Sequence, residues 1–212
     1  MKILNLYCGI GGNRKLWPDG HDITAVEYNP DIAKIYQDFF PNDKVIIGDA
    51  HQYLLDHYKE FDFIWSSPPC PTHSKMQITS VLSEDEKTGN KDRRAVYPDM
   101  NLYQEIILLT SFAPLKCKYV VENVKPYYDP LIKSQEAGRH LFWSNFFISN
   151  YSSKKIFCVT KESITNLQKH YNIDVSNCVG VEKRKIMRNC VDPKLGLHIY
   201  NCAFRDVQME IE

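Results

Sequence analysis

The sequence predicts an α/β protein with a mostly parallel central sheet. Short apolar runs of strand length alternate with amphipathic segments of helix length, which is the pattern of βαβ units. Three of the apolar runs end in glycine or acidic residues, and open α/β sheets bind ligands at the carboxyl ends of their strands. The chain has 212 residues, enough for one such domain, so we expect a single domain over residues 1–212.

The chain begins with an apolar run over residues 2–7, followed by a glycine turn. The turn reads Cys8-Gly9-Ile10-Gly11-Gly12. A strand, glycine turn and helix in this order let the backbone approach a nucleotide-like ligand. A second strand over residues 21–26 ends in Glu27, which lies 18 residues beyond the first glycine of the turn. Acidic residues at about that distance bind ribose hydroxyl groups, so the turn is a candidate cofactor site. A purely structural tight turn is the alternative.

The next elements complete the βαβ unit. Asn29 is a favourable N-cap and Pro30 suits the first position of a helix, so we expect a helix to begin there. Residues 44–47 predict a third short strand that ends in Gly48 and Asp49, and a further helix follows. Three strand ends with acidic or glycine residues therefore meet at one edge of the sheet.

A candidate nucleophile follows the fourth strand. The apolar run 61–65 leads into Ser66, Ser67 and two prolines, and Cys70 comes next. Because proline fixes φ and lacks a backbone donor, the strand cannot continue, and the cysteine is held on a stiff support at the sheet's edge. This placement suits a catalytic thiol, although cysteine is also common as a small buried hydrophobic residue.

The second half of the chain adds a carboxylate to that edge. A helix is predicted from Asp99, and a strand over residues 118–121 delivers Glu122 to the edge where Cys70 lies. Residues 139–148 predict two further strands or a hairpin. A carboxylate and a thiol therefore converge.

Two stretches show no sustained periodicity. Residues 75–98 are polar and long for a loop in a compact domain, so we expect this stretch to be functional or disordered. Residues 150–182 are mixed and predict no clear element. Beyond them, residues 188–193 open a last helix over residues 194–203.

Charge and cysteine usage limit the class of protein. Lysine plus arginine (26) balances aspartate plus glutamate (26), so nucleic-acid contacts must come from local clusters. The candidate clusters are Lys91 with Arg93 and Arg94, Lys154 with Lys155, and Lys183, Arg184 and Lys185 with Arg188. The seven cysteines are odd in number and lack metal-ligand spacing, so we expect no disulfide framework and no metal site. With no apolar run long enough for a membrane span, a cytoplasmic protein is expected.

Taken together, these motifs resemble the cytosine-5 DNA methyltransferase family, and closely its small phage-type members. The matching motifs are Leu6-Tyr7-Cys8-Gly9-Ile10-Gly11-Gly12, with tyrosine in place of phenylalanine in F-x-G-x-G-G, then Glu27-Tyr28, Asp49, Pro69-Cys70, Glu122-Asn123-Val124 and Asn189-x-Val191-x-Pro193. Six motifs in the family's order would rarely occur together by chance. The resemblance covers nearly the whole chain except about 150–182, and it implies the Rossmann-like class I S-adenosylmethionine-dependent methyltransferase fold.

The resemblance also implies roles for these residues. The residues implied to bind S-adenosylmethionine are Tyr7, Gly9, Gly11, Gly12, Glu27, Tyr28, Asp49, Pro69, Asn189 and Val191. Cys70 would attack carbon 6 of a flipped-out cytosine, while Glu122 would protonate or share a proton with ring nitrogen 3. Arg139 would hold the carbonyl oxygen. Double-stranded DNA is the implied partner, and we expect a monomer.

The chain departs from the family pattern at three places. Pro71 stands where glutamine is frequent, and the Q-x-R-x-R element is reduced to Arg139-His140-Leu141-Phe142. The target-recognition region, which is usually large, is confined to about residues 150–182. Since few side chains there can reach base edges, we expect a short target of about two to four base pairs.

Three alternative functions are considered. Ser67-Pro68-Pro69-Cys70 is one residue from the S-P-P-Y of amino-methylating enzymes, where an aromatic residue stacks on the base and cysteine has no use. The same covalent chemistry on RNA is the second alternative. A non-catalytic nucleic-acid-binding relative is the third, and retention of both Cys70 and Glu122 counts against it.

Overall fold

A seven-stranded sheet forms the centre of the protein. The computed structural model describes residues 1–75, 97–151 and 162–204. The strands are β1 (Lys2–Leu6), β2 (Asp22–Glu27), β3 (Lys44–Ile47), β4 (Phe63–Ser66), β5 (Lys118–Val124), β6 (Gln135–Ala137) and β7 (His140–Ser144), in the spatial order β3-β2-β1-β4-β5-β7-β6. Of the pairs in this sheet, β7 is antiparallel to both β5 and β6, and the other four pairs are parallel. The predicted α/β class with a mostly parallel, Rossmann-like sheet is confirmed.

Six helices accompany the sheet in the described part of the chain. They are α1 (Pro30–Phe39), α2 (Ala50–His57), α3 (Asn101–Phe112), α4 (Ile164–Tyr171), α5 (Lys183–Arg188) and α6 (Pro193–Phe204). Of these helices, none has both the length and the apolar character needed to cross a membrane.

Two helices begin at polar caps that also mark the functional edge of the sheet. The Asn29 side chain accepts hydrogen bonds from the backbone of Asp31 and Ile32 at the start of α1, with Pro30 in the first turn, as predicted. Asp49 caps α2 in the same way. Each cap lies two residues after the end of a parallel strand, so the side chains of Asn29 and Asp49 are held at the carboxyl edge of the sheet.

The strands bury both faces because alternate residues point to opposite sides. On one face Leu4, Leu6 and Ile64 pack against α2 and α3. On the other face Phe63 and Trp65 pack with α6. The sheet is therefore the middle layer between helices, which holds the strand ends rigidly.

The strands expected within residues 139–148 are only partly right, because these residues hold the single strand β7 and its hairpin partner β6 precedes them.

A second predicted element is wrong. A helix was expected after the glycine turn, but residues 11–17 form successive turns, with backbone bonds from Lys15 to Gly12 and from Trp17 to Arg14. Gly11 has φ +78, outside the helical region, and Pro18 follows soon afterwards. Too few residues remain between the two for a stable helix.

The described part of the 150–182 segment is structured. Residues 162–182 contain α4, whose Leu167 and Tyr171 are buried in a separate cluster with Ile10 and Ile35. This segment therefore packs beside the glycine turn. Residues 76–96, 152–161 and 205–212 lie outside the described residues, and with them most of the 75–98 stretch and the first two basic clusters.

Candidate active site

A cleft of about 740 Å³ opens at the carboxyl edge of the sheet. We call residues 8–12 the glycine loop and residues 67–71 the nucleophile loop. The cleft is lined by both loops and by the segments that follow β2 and β3, the end of β5, the β6–β7 turn and residues 180–182 and 185–191 in part. The predicted site residues on its wall are Tyr7, Gly9, Gly12, Glu27, Tyr28, Asp49, Pro69, Cys70, Glu122, Arg139, Asn189 and Val191. The fold thus brings these distant motifs into one cleft.

Glu27 joins the first two strand ends. One carboxylate oxygen accepts a hydrogen bond from the backbone N–H of Gly9 and the other from that of Asn29, both at 3.0 Å. Gly9 has φ +53, and a Cβ there would meet no atom within 4 Å. The neighbouring Tyr28 is 78% exposed on the cleft wall. This part of the cleft offers open backbone, a fixed carboxylate and a free aromatic face.

The other two glycines serve close packing. A Cβ on Gly11 would lie 2.2 Å from the Phe40 ring, so Gly11 faces α1 and is not part of the cleft wall. A Cβ on Gly12 would lie 2.2 Å from Cys190 Sγ and 2.3 Å from the Val191 carbonyl oxygen. Gly12 therefore lets the C-terminal Asn-x-Val-x-Pro motif dock against the glycine loop.

Asp49 also combines a structural bond with a place on the cleft. Its Oδ1 accepts hydrogen bonds from the backbone of His51 (2.8 Å) and Gln52 (3.2 Å). Both bonds use the same oxygen, so capping α2 does not occupy Oδ2.

Cys70 lies in a compact turn after β4. Its carbonyl oxygen accepts hydrogen bonds from the backbone of His73 and Ser74, each at 3.0 Å, which fixes the loop. The Asn123 side chain donates to the carbonyl of Pro68 at 3.0 Å and ties β5 to the nucleophile loop. Burial raises the pKa of the Cys70 thiol, and the charge of Glu122 adds to this. The thiol is therefore protonated at neutral pH.

Glu122 is buried beside two basic side chains. Its Oε1 lies 2.6 Å from Nδ1 of His140, although the ring N–H is not well aligned on the oxygen. Arg139 Nε in turn lies 3.1 Å from Nε2 of His140. Burial by itself raises the pKa of Glu122, but His140, the Ser67 hydroxyl and Arg139 favour the carboxylate, and the pKa falls below its ordinary value. Glu122 is thus held ionised.

Three residues of this region were not singled out as functional from the sequence. His140 reaches Glu122 only because β7 pairs with β5, and that register is not visible in the sequence. His51 lines the cleft beside Asp49. Glu105 is fully buried below the cleft. One signal for Glu105 was available, since it interrupts the apolar face that Leu102 and Ile106 form on α3.

Similarity to solved structures is low in sequence. A putative methyltransferase from Escherichia coli shares 15% identity, with 68% of this chain and 73% of that chain covered and a TM-score of 0.42. An S-adenosylmethionine-dependent methyltransferase from Agrobacterium tumefaciens shares 13% identity (60% and 40% covered, TM-score 0.42). A putative DNA modification methyltransferase encoded within an Escherichia coli prophage shares 20% identity (61% and 33% covered, TM-score 0.37). No curated protein matches the chain.

The match to a protein family is more specific. The model of the C-5 cytosine-specific DNA methylase family matches residues 1–129, more than half of the 212. The matched region contains the glycine loop, Cys70 and Glu122, while Arg139 and the Asn189 motif lie beyond it. The cleft, its thiol and its carboxylates therefore lie in a chain that belongs to the C-5 cytosine-specific DNA methylase family.

Proposed function

We propose that this protein methylates carbon 5 of cytosine in double-stranded DNA through a covalent adduct at Cys70. The observation that carries the proposal is that Cys70, Glu122 and Arg139 share one cleft with Glu27 and the glycine loop. A nucleophile, a proton-exchanging group and a cation are thus in reach of a ligand bound on the open backbone.

S-adenosylmethionine is the methyl donor, and the residues present fit it. The Glu27 carboxylate suits the ribose hydroxyl groups, the exposed Tyr28 ring suits the adenine face, and Asp49 Oδ2 suits the adenine amino group. The absence of a Cβ on Gly9 leaves room for the ligand. Asn189 and Val191 close the same wall. When bound, this cofactor supplies an electrophilic methyl group on a sulfonium.

The residues near Cys70 supply activation of the base. Carbon 5 of cytosine is a weak nucleophile until a thiolate adds to carbon 6, and cysteine is suited to such reversible addition. As the Cys70 thiolate adds, ring nitrogen 3 takes a proton from Glu122. Arg139 holds the carbonyl oxygen, and both groups stabilise the charge that develops on the ring.

Proton exchange at Glu122 is supported by its surroundings. The thiol begins protonated, so one proton must leave Cys70 and one must reach nitrogen 3. The ionised carboxylate of Glu122 is the acceptor available in the same cleft, and His140 stabilises it each time it gives up a proton. Once carbon 5 carries the methyl group, its own proton must leave to a base before the bond between Cys70 and carbon 6 breaks. Nitrogen 3 returns its proton to Glu122 as the thiolate is expelled.

The substrate must present the base outside the double helix. Carbon 6 is inaccessible within the stack, so the target cytosine is flipped out, at a cost of a few kcal/mol. Lys185 and Arg188 of α5 line the cleft and are placed to contact phosphates. Residues 162–182 hold one short helix, α4, and its flanks, which is a small scaffold for side chains that read base edges, and we propose a target of about two to four base pairs. A monomeric, single catalytic domain over residues 1–212 completes the proposal.

Analysis of the product nucleoside tests this function. Plasmid DNA and, separately, total RNA are incubated with the protein and labelled S-adenosylmethionine, then digested to nucleosides. We expect 5-methylcytosine from DNA alone. N4-methylcytosine would instead indicate amino methylation, and label confined to RNA would indicate the RNA branch. Sequencing of the methylated plasmid then measures the target, and a motif of six or more specified base pairs would contradict the short context.

A further inference from the structure

One acidic side chain is buried in the helix beneath the cleft and has no part in the chemistry proposed above. Glu105 lies on α3 with its side chain fully removed from solvent. Its helical neighbours Leu102, Ile106 and Leu109 are buried apolar residues. A carboxylate in such surroundings is costly unless donors satisfy it.

Three donors from three different strand ends converge on Glu105. The Tyr7 hydroxyl donates to Oε1 at 2.6 Å, and His51 Nδ1 lies 3.0 Å from the same oxygen. The Ser66 hydroxyl donates to Oε2 at 2.5 Å. Tyr7 precedes the glycine loop, His51 follows Asp49, and Ser66 precedes the nucleophile loop. One carboxylate thus joins three walls of the cleft from below.

Tyr7 is held in an unusual conformation at this junction. Its φ of +54 lies in the left-handed region, which residues other than glycine rarely adopt without support from their surroundings. The hydroxyl bond to Glu105 anchors the side chain to a helix 98 residues away in sequence. Phenylalanine would fill the same space but would lack this bond.

The charges in this network are coupled. The pKa of His51 is raised, chiefly by its hydrogen bond to Glu105, with further contributions from the Glu105 and Asp49 charges and a bond with Gln104 that outweigh its burial. Burial, followed by the charge of Glu105, raises the pKa of Tyr7, so its hydroxyl remains a donor. A protonated His51 supplies a positive charge beside the buried carboxylate of Glu105, whereas a neutral His51 leaves that negative charge without an opposite charge.

We propose that Glu105 is a positioning residue of the S-adenosylmethionine site: it fixes Tyr7 and His51 on the cleft wall and couples them to Ser66 at the base of the nucleophile loop. The proposal rests on the proposed function in that the cleft must bind this cofactor. Glu105 itself touches no ligand and acts through the residues it holds.

Calorimetric binding of S-adenosylmethionine to variants tests the proposal. Tyr7→Phe removes one donor, and we expect about tenfold weaker binding, the scale of one hydrogen bond to a charged group. Glu105→Gln keeps the volume but cannot accept from all three donors, so we expect a loss of about 10- to 100-fold. In the double variant, Tyr7→Phe should add little to Glu105→Gln, because the two side chains act as one unit.

Tyr119→Phe provides a matched control. The Tyr119 hydroxyl also bonds α3, through Thr110 at 3.0 Å, but neither residue lines the cleft. This variant should lose a similar amount of thermal stability and leave cofactor affinity unchanged. Equal losses of affinity in Tyr7→Phe and Tyr119→Phe would reduce the role of Glu105 to general stability and overturn the proposal.

The pH dependence of binding gives a readout that simple packing does not move. As pH rises through the raised pKa of His51, the pair with Glu105 loses its cation, so wild-type affinity should fall relative to His51→Gln. The ligand's own titration is common to both proteins and cancels in the ratio of affinities. A ratio that stays constant from about pH 6 to 9 would contradict a role for the charged pair.

The outcomes separate this inference from the function. A wild type that fails to bind S-adenosylmethionine would overturn the cofactor site itself. A wild type that binds, with Tyr7→Phe and Glu105→Gln binding equally well, would overturn only the role of Glu105. Should Glu105→Gln fail to fold, Tyr7→Phe and its Tyr119→Phe control decide the question alone.

Discussion

The cleft has two halves, which hold their carboxylates in different ways: a cofactor half with the glycine loop, Glu27 and Asp49, and a target half with Cys70, Glu122 and Arg139. In the cofactor half, Glu27 and Asp49 accept hydrogen bonds from backbone N–H groups at the ends of their own elements and from the glycine loop. In the target half, Glu122 depends on the side chains of His140, Ser67 and Arg139, which come from distant parts of the chain.

This difference matches two tasks. Backbone donors are fixed by the fold and carry no protons that exchange during a reaction, so the cofactor half is a rigid binding surface. Side-chain partners can respond to a change of charge, which suits the proton exchange that we propose for Glu122. Mutations in the cofactor half should therefore lower the affinity for S-adenosylmethionine, whereas mutations in the target half should lower the rate of methyl transfer.

The largest effect is expected at Cys70. Cys70→Ala should abolish methyl transfer while leaving S-adenosylmethionine affinity nearly intact, because the thiol acts on the base. Transfer of labelled methyl groups to DNA measures the first and calorimetry the second. Residual turnover above background would contradict the role of Cys70 as the nucleophile. A large loss of cofactor affinity would contradict the separation of the two halves.

Glu122→Gln should reduce the rate of methyl transfer by about 10² to 10⁴, the range for a positioned proton donor. The amide cannot deliver a proton to ring nitrogen 3, although it has nearly the same size as the carboxylate and so conserves volume. Single-turnover kinetics with DNA in excess measure the chemical step. An unchanged rate would show that Glu122 supplies no proton in the chemical step and has only a structural role.

Glu27→Ala and Asp49→Ala should each weaken S-adenosylmethionine binding by about 1.5 to 3 kcal/mol, for one or two lost bonds to a charged group. Asp49→Asn keeps an oxygen that caps α2 but puts a donor amide in place of Oδ2, so it should lose cofactor affinity with little loss of stability and so separates the ligand bond from the cap. If both alanine variants bind the cofactor as tightly as the parent, S-adenosylmethionine does not bind at Glu27 and Asp49, and the proposed cofactor site is wrong.

The smallest effect concerns the stability of the target half. The pKa of Glu122 lies below its ordinary value of 4.5, so the carboxylate stabilises the fold above that pH and this contribution is lost as pH falls through the lower value. In His140→Leu the partner is gone and burial dominates. The variant should therefore lose stability relative to wild type as pH rises above about 4.5, reaching about 1 to 3 kcal/mol at neutral pH.

Urea unfolding between about pH 4.5 and 7.5 measures this difference. His57→Leu is the control, because His57 pairs with Glu60 on the surface at 2.7 Å with both side chains exposed. A surface pair contributes little, so its loss should show no comparable pH dependence. Parallel pH curves for the two variants would argue that His140 does not hold Glu122 ionised.

The same contrast explains what the sequence could predict. Glu27, Asp49 and Cys70 lie within five residues after apolar runs. The rule that the carboxyl ends of parallel strands meet at one edge was therefore enough to bring them together. His140 reaches Glu122 only through the pairing of β5 with β7, and Glu105 reaches Tyr7 only because α3 packs against the sheet. Such contacts depend on pairing and packing that no local pattern specifies.

Trapping of the covalent adduct tests the central claim most directly. The protein is incubated with S-adenosylmethionine and double-stranded DNA that carries 5-fluorocytosine in place of cytosine, then denatured and examined by gel and intact mass. Fluorine cannot leave carbon 5 as a proton does, so Cys70 cannot be expelled after methyl transfer. We predict a protein–DNA adduct that survives denaturation, is linked through Cys70 and is missing in Cys70→Ala. Active methylation of ordinary DNA without any such adduct would contradict the covalent mechanism.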